Sequence, residues 1–531
     1  MQVIHIGDGA AKRHTPETVG NKAANLARMA ALGLPVPSAF VLPIKLCSAI
    51  VAGDSQAGAS IGAFLREGIA FLEHATGRKF GDRRHPLLVS VRSGAARSMP
   101  GMLDTVTDVG CTLAAVHGLV RASGNPRFAW DCRRRFLEGY AHVVLGLDEA
   151  LLAGRLAQIT AAERVANVQA LDGEAMERLA RAQLQAIEDE NEIVGEDAFE
   201  QLENAAQAVY RSWMSERAQT YRRLQHLDDL LGTAVTVQAM VFGNGGADCG
   251  AGVAFSRDPS TGQPQPVIEV LFGAQGEDIV SGNRTPETGA AIERRLPRVA
   301  AQLRETLGVL EREFTDVQDV EFTIERGKLW LLQTRAAKRT PLAALRFAVD
   351  FVREGLLTPA QGLRRLEGVA IDKIARQCLT DVAPPAARGT PASTGIAVGR
   401  AAFNSKSAER LAAGGAPVIL VRRDTSTADV AGFAVSAGIV TAVGGRTAHA
   451  ALVARQLGRP SVVGCAALAV DPAGHGAKLA GVALKEGDWL SIDGETGQIH
   501  LGRGTIVVER PEADLAEVAG WHEMTRKHGA A

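Results

Sequence analysis

The chain has 531 residues, 46% hydrophobic and 22% charged, with a formal net charge of −1 at pH 7. That is length for about three or four domains with their own cores, and the composition excludes a disordered chain and a charge-driven nucleic-acid or membrane-surface binder. No apolar run approaches the ~20 residues of a membrane span, no basic-then-apolar leader is read at the start, and the six scattered cysteines suggest neither a disulfide framework nor a zinc site, so a reducing cytoplasm is the expected setting.

In chain order, residues 19–36 predict a helix that starts at Gly20-Asn21 and is closed by Gly33 and Pro35. Leu26, Met29 and Ala30 fall on one face, and Lys22 sits in the first turn, where a cation opposes the helix dipole and calls for an anionic partner. From spacing alone a solvated lysine is the plainer reading. Residues 87–110 predict a buried strand ending at Arg92 and a loop of small residues whose amides can approach a phosphate, with Arg92 and Arg97 as bidentate cations. A surface loop with two solvated arginines explains the same composition.

Residues 111–230 are helical and laced with charge, and Arg133-Arg134-Arg135 read as a solvated helix face. A strand returns at 234–244, and 252–262 gives another strand and a turn. Glu277 and Asp278 read equally as metal-site carboxylates or as turn residues.

Residues 318–335 alternate with period two on both sides of Arg326-Gly327, which predicts an antiparallel hairpin. Asp319, Glu321, Thr323 and Glu325 share one face of the first strand, and Gln333 and Arg335 one face of the return strand. A turn at 326–327 sets Glu321 opposite about Gln333 and Asp319 near Arg335, so that carboxylate, amide and guanidinium converge where Mg²⁺ and a triphosphate can be held. An exposed sheet face with cross-strand ion pairs is the alternative. Helices follow at 341–382, including one over 347–354 and one starting at Thr358-Pro359. Residues 381–389 read as a proline-stiffened linker into a β/α/β domain.

In that domain the apolar run 438–443 predicts a buried strand feeding a Gly444-Gly445 turn, with a helix starting near Thr447 as N-cap and ending at Gly458. His449 then lies in the first helical turn, where unpaired amides and the positive end of the dipole form an anion site and favour a neutral, nucleophilic imidazole. Such a histidine can take up a phosphoryl group, cradled by amides and the Thr447 hydroxyl; from the residue alone, a histidine that merely caps or packs the helix is the plainer reading.

The run Gly444-Gly445-Arg446-Thr447-Ala448-His449-Ala450, with Ala454-Arg455 and residues 458–465, resembles the phosphohistidine signature of PEP-utilising enzymes, with Ala448 where dikinases usually carry Ser. Residues 20–37, 91–105, 272–280 and 318–340 resemble, in the same order, the nucleotide half of the pyruvate, phosphate dikinase family. In the arginine loop Ala96 is interposed, so Arg97 stands one place later than the family's second arginine.

The resemblance implies an α/β multidomain fold. Residues 1–340 would form an ATP-grasp nucleotide-binding domain with a helical insertion at about 111–230. Residues 341–383 would be a helical connector and linker, 384–508 a swivelling β/α/β phosphohistidine domain, and 509–531 a helix leading into a barrel that is cut short. It further implies that Lys22, Arg92, Asp319, Glu321, Gln333 and Arg335 bind ATP, that Glu321 and Gln333 hold Mg²⁺, and that His449, Thr447, Arg92 and Arg335 carry catalysis.

The implied enzyme is a phosphotransferase with paired acceptors. The βγ portion of ATP moves to His449, orthophosphate takes the γ-phosphoryl, and phosphohistidine, AMP and pyrophosphate remain. The phosphoryl group would then pass to pyruvate on a barrel domain acting in trans. Transfer to another small molecule or a carrier protein, and a non-catalytic ATP-binding regulator, stand as alternatives. Neither a nucleic acid nor a membrane is an expected partner, and oligomeric state is open.

Overall fold

The computed structural model is described over residues 3–528, leaving out 8, 10–13, 98, 100–101, 281–283, 426–428, 447–448 and 472–475, and leaving out side chains also at 55–59, 280, 430, 449, 452, 456 and 525–528. Helices and sheets are mixed along the whole chain, as the α/β reading expects. The chain divides into two units, 1–249 with 323–334, and 250–322 with 335–531.

The first unit is built on a five-stranded antiparallel sheet in the order Ile4–Ile6, Ala39–Leu42, Thr233–Ala239, Val89–Ala95, Thr105–Val109. Thr233–Ala239 is buried at every position, so it reads as a continuous run and not as an alternation. The helices Ser55–Thr76, Pro126–Val143 and Ala198–Arg211 pack on this sheet. Val89–Ala95 runs three residues past Arg92, where a loop was expected, because Ala95 still pairs with Thr233 and the Gly94 amide donates to Thr233 Oγ1 at 2.9 Å. The helix carrying Lys22 is Asn21–Ala31. Gly20 before it has φ 80°, and a Cβ there would lie 2.0 Å from the Gly94 carbonyl oxygen, so a close approach and a positive φ both demand glycine.

One expectation is overturned here. Arg133, Arg134 and Arg135 are 1%, 5% and 8% exposed; they are core residues, not a solvated face. Asn125 caps their helix, Pro126–Val143, by accepting from the Phe128 amide at 3.0 Å. Phe128, Cys132, Phe136 and Tyr140 pack in the same core. Each guanidinium is compensated in place. Arg133 donates to the Cys111 carbonyl at 2.5 Å and to Glu196 at 2.6 Å. Arg134 and Arg135, three and four residues on from Asp131, donate to its two carboxylate oxygens, and Asn244 donates to Asp131 Oδ2 at 2.7 Å. A basic triplet looks solvated in sequence because nothing local announces that its counter-ion is buried with it.

Gln318–Glu325 and Lys328–Ala336 form the expected hairpin, whose tip, 323–334, belongs to the first unit. Arg326 and Gly327 have φ of 50° and 71°, the two positive values of a type I′ turn.

In the second unit, Glu287–Thr288, Val267–Phe272 and Gly250–Phe255 follow one another in an antiparallel sheet beside the start of Gln318–Glu325. The first connector helix is Pro341–Arg353, six residues earlier than expected, because Thr340 Oγ1 accepts from the Ala343 amide and Pro341 suits the first helical position. Pro359–Arg365 starts with a capping box, Thr358 with Gln361, and Glu512–His528 packs on both helices through the buried Trp521.

The eight-stranded sheet runs Ala387–Arg388, Gln498–Leu501, Trp489–Asp493, Ile396–Ala402, Val418–Arg422, Gly438–Thr441, Ser461–Val463, Thr390–Ser393. Its four strands from Ile396–Ala402 to Ser461–Val463 are parallel neighbours. Their alternate residues feed two separate cores, Ile419, Val421, Val440 and Val462 in one, Val418, Leu420, Ile439 and Val463 in the other, which is why these strands read as unbroken apolar runs. Among the described residues no helix is long and apolar enough to cross a membrane.

Candidate functional site

In the first unit, Lys22 is exposed in the opening turn of Asn21–Ala31. Arg92 stands in register opposite Thr236, and its Nη1 donates to Gln238 Oε1 at 3.3 Å; Gln238 Nε2 in turn donates to the Pro37 carbonyl at 3.3 Å. Both ends of the Gln238 amide are thus specified, and it orients Arg92. Thr236 Oγ1 is buried with no partner among the described residues, a polar atom suited to a ligand beside Arg92. Gln333 is buried on Lys328–Ala336. Arg97 is exposed past the strand end, and Ser98, Pro100 and Gly101 lie outside the described residues.

In the second unit the pairing expected for Asp319 and Arg335 is present: Arg335 Nε donates to Asp319 Oδ2 at 2.7 Å. Burial pushes the Asp319 carboxyl up, more strongly than Arg335 pulls it down, and the neighbouring Glu321 adds to the rise. Burial works to lower the Arg335 guanidinium, but Asp319 and Glu321 outweigh it and raise it. Asp319 Oδ1 is buried with no partner among the described residues. Among the described residues no three His, Cys, Asp or Glu side chains cluster as a metal cage. Two neighbouring carboxyls with one buried, unused oxygen instead fit Mg²⁺, which takes one or two protein carboxylates and completes its shell with phosphate and water. Of the two carboxylates left open between metal and turn, Asp278 serves the turn: its Oδ2 accepts from the Gln275 amide at 2.8 Å.

His449 is the first residue of the helix His449–Gln456, following the strand Gly438–Thr441 and the turn carrying Gly444. Thr447, Ala448 and the His449 side chain lie outside the described residues. The turn itself is held by residues far away in sequence. The Gly444 amide donates to Thr285 Oγ1 at 3.2 Å and the Arg446 amide to Glu269 Oε1 at 3.4 Å. The Arg446 guanidinium lies 3.8 Å from Glu269 and 3.9 Å from Asp258. A Cβ on Gly445 would lie 2.7 Å from the Pro286 ring, so the glycine is needed for close approach. Arg455 donates to the Arg446 carbonyl, and burial and the Arg446 charge both lower its guanidinium. Burial pushes the Glu269 carboxyl up, against the pull of Arg446.

Sequence reading missed Glu269, Thr285 and Gln238. The signal is a lone polar side chain inside an apolar strand for Glu269, in Val-Ile-Glu-Val-Leu-Phe, and a long polar side chain in a wholly buried strand for Gln238, in Ala-Val-Thr-Val-Gln-Ala. Thr285 has no such signal.

Residues 57–301 match the family model for the pyruvate phosphate dikinase AMP/ATP-binding domain, and residues 414–497 that for the PEP-utilising enzyme mobile domain. The chain is 40% identical over 535 residues to a pyruvate, phosphate dikinase of Rhizobium meliloti (strain 1021), across 96% of this chain and 59% of the relative. It is 39% identical to pyruvate, phosphate dikinase 2 of Zea mays, across 99% and 60%, and 40% identical to the pyruvate, phosphate dikinase of Clostridium symbiosum, across 94% and 57%. It therefore spans less than two thirds of the length of these curated relatives.

Proposed function

Because the chain belongs to the pyruvate, phosphate dikinase family, we propose that it takes a phosphoryl group from ATP onto His449. What supports this most directly is the Gly444–Arg446 turn before His449. It rests on Glu269 and Thr285, which lie inside the stretch that matches an AMP/ATP-binding domain. In this reading residues 1–340 bind the nucleotide and residues 384–508 carry the histidine.

The imidazole of His449 attacks the β-phosphorus, the bond to the oxygen bridging to the α-phosphorus breaks, and AMP leaves. Orthophosphate then removes the γ-phosphoryl as pyrophosphate, leaving phosphohistidine. Lys22, Arg92 and Arg335 neutralise the phosphate charge, and the Thr447 hydroxyl steadies the phosphoryl group on His449. Asp319, Glu321 and Gln333 would hold Mg²⁺, which when bound supplies further charge neutralisation on the phosphates. The helix start at His449 favours the neutral imidazole that the attack requires. The names of the relatives point to pyruvate as the final acceptor; we further infer that it is reached on a barrel domain acting in trans and that the setting is the cytoplasm.

The test is incubation of the purified chain with ATP labelled at the β-phosphorus, with and without orthophosphate. The expected product is an acid-labile, base-stable protein adduct together with AMP, absent in His449→Ala. Undiminished labelling of His449→Ala, or release of ADP in place of AMP, overturns the proposal.

A further inference from the structure

Lys328–Ala336 is the last strand of its sheet, and an edge strand leaves backbone groups in need of partners. Within the first unit, two of these groups are met by one stretch near the chain start. The Leu331 amide donates to the Pro35 carbonyl at 2.8 Å, and the Thr334 carbonyl accepts from Asn25 Nδ2 at 2.9 Å. The first tie is backbone to backbone and is indifferent to side-chain identity. The second depends on one side chain.

Asn25 lies three residues after Lys22 on Asn21–Ala31, so the two share a helix face one turn apart. The carbonyl it holds belongs to the residue directly after Gln333, which is 7% exposed. The same stretch, through the Pro37 carbonyl, holds the Gln238 amide that orients Arg92. Lys22, Arg92 and Gln333 are thus referred to one segment, residues 21–37, and Asn25 is its direct side-chain link to the Gln333 strand.

We propose that Asn25 is a positioning residue for Gln333: it holds the Gln333 strand at a set distance from the Lys22 helix, so that both meet the same triphosphate. The inference rests on the ATP-binding reading above. The chemistry asks for a short side chain with an N–H donor. Aspartate has the size but turns an oxygen toward the Thr334 carbonyl, alanine removes the donor that Asn25 offers it, and glutamine is one methylene too long.

The experiment compares wild type, Asn25→Asp, Asn25→Ala, Gln333→Ala and the double variant Asn25→Asp/Gln333→Ala in the full chain. It measures ATP affinity by titration calorimetry, the initial rate of His449 labelling, and the melting temperature. The expected loss for each Asn25 variant is about tenfold in rate per bound ATP, the scale of one hydrogen bond, at a melting temperature close to wild type. In the double variant most of the Asn25→Asp loss disappears, because the residue it positions is gone. An unlabelled wild-type chain that also fails to bind ATP removes the reading on which the inference stands. A labelled wild type overturns the inference alone if Asn25→Asp labels normally, if its loss adds in full to that of Gln333→Ala, or if Asn25→Ala loses rate only in proportion to lost folding.

Discussion

Asp131→Leu is predicted to destabilise the first unit severely. Asp131 is 3% exposed and accepts from Arg134 Nε at 2.9 Å, Arg134 Nη2 at 2.8 Å, Arg135 Nε at 3.1 Å and Asn244 Nδ2 at 2.7 Å. Arg134 keeps a second partner, Glu138, at 2.6 Å, whereas Arg135 and Asn244 lose the partner described here. Removing one member of a buried pair leaves uncompensated charge in a low-dielectric site and costs about 3–5 kcal/mol. For a unit of this size that corresponds to a fall of roughly 6–20 °C in melting temperature. The assay is thermal unfolding of the full chain followed by calorimetry, assigning the first unit's transition by its selective shift. A companion variant, Asp131→Leu/Arg134→Met/Arg135→Leu, removes charge and counter-charge together and is expected to recover most of the loss, since apolar residues of similar volume replace buried ions at little net cost. A fall below about 2 °C for Asp131→Leu, or a triple variant no better than the single one, would refute the reasoning that this cluster is buried and mutually compensated.

The same carboxylate sets a pH dependence. Burial raises Asp131, but Arg135, Arg134 and the Asn244 amide overcome it and hold the carboxyl far below its ordinary value. A folded-state value below the unfolded one, which is about 3.9, means the contribution is fully present above that pH and is lost as pH falls through it. Stability of the first unit should therefore drop between roughly pH 4 and the acid limit, at up to about 1.4 kcal/mol per pH unit from this group, and Asp131→Asn should flatten that limb in acid-unfolding curves; an unchanged acid limb sinks the assignment. For the His449 turn, Glu269→Arg and Arg446→Glu are each predicted to slow labelling of His449 by tenfold or more (about 1.4 kcal/mol), and the double variant to regain much of it. Two singles that label at the wild-type rate, or a double variant that is merely the sum of both, would show that this contact does not support the reaction.

Much of the local architecture is legible in the residues. The helix bearing Lys22, the hairpin with its two-residue turn at Arg326-Gly327, and the helix opening at His449 all follow from period, turn chemistry and caps, which act over a few residues. The Asp319–Arg335 pair is legible only as nearness, because a two-residue loop sets Asp319 opposite Thr334 and leaves Arg335 one position off that register. The basic triplet at 133–135 was illegible for the opposite reason. Its burial depends on Glu196, 63 residues beyond Arg133, and on Asn244, which satisfies Asp131 from 113 residues away, and no local period encodes a partner at that distance.

The same division runs through the candidate site. The sequence by itself determined which elements carry the candidate residues: a lysine in a first helical turn, an arginine on a buried strand, a carboxylate-and-amide hairpin, and a histidine after two glycines. Only the tertiary structure decided what holds them. Asn25 reaches the Thr334 carbonyl, Gln238 fixes Arg92 against Pro37, and Gly445 must be glycine because Pro286 occupies the space of its Cβ. Element type is set by interactions within a turn or a strand pair, whereas the orientation of a side chain is set by whichever distant group the folded chain brings within about 3 Å of it.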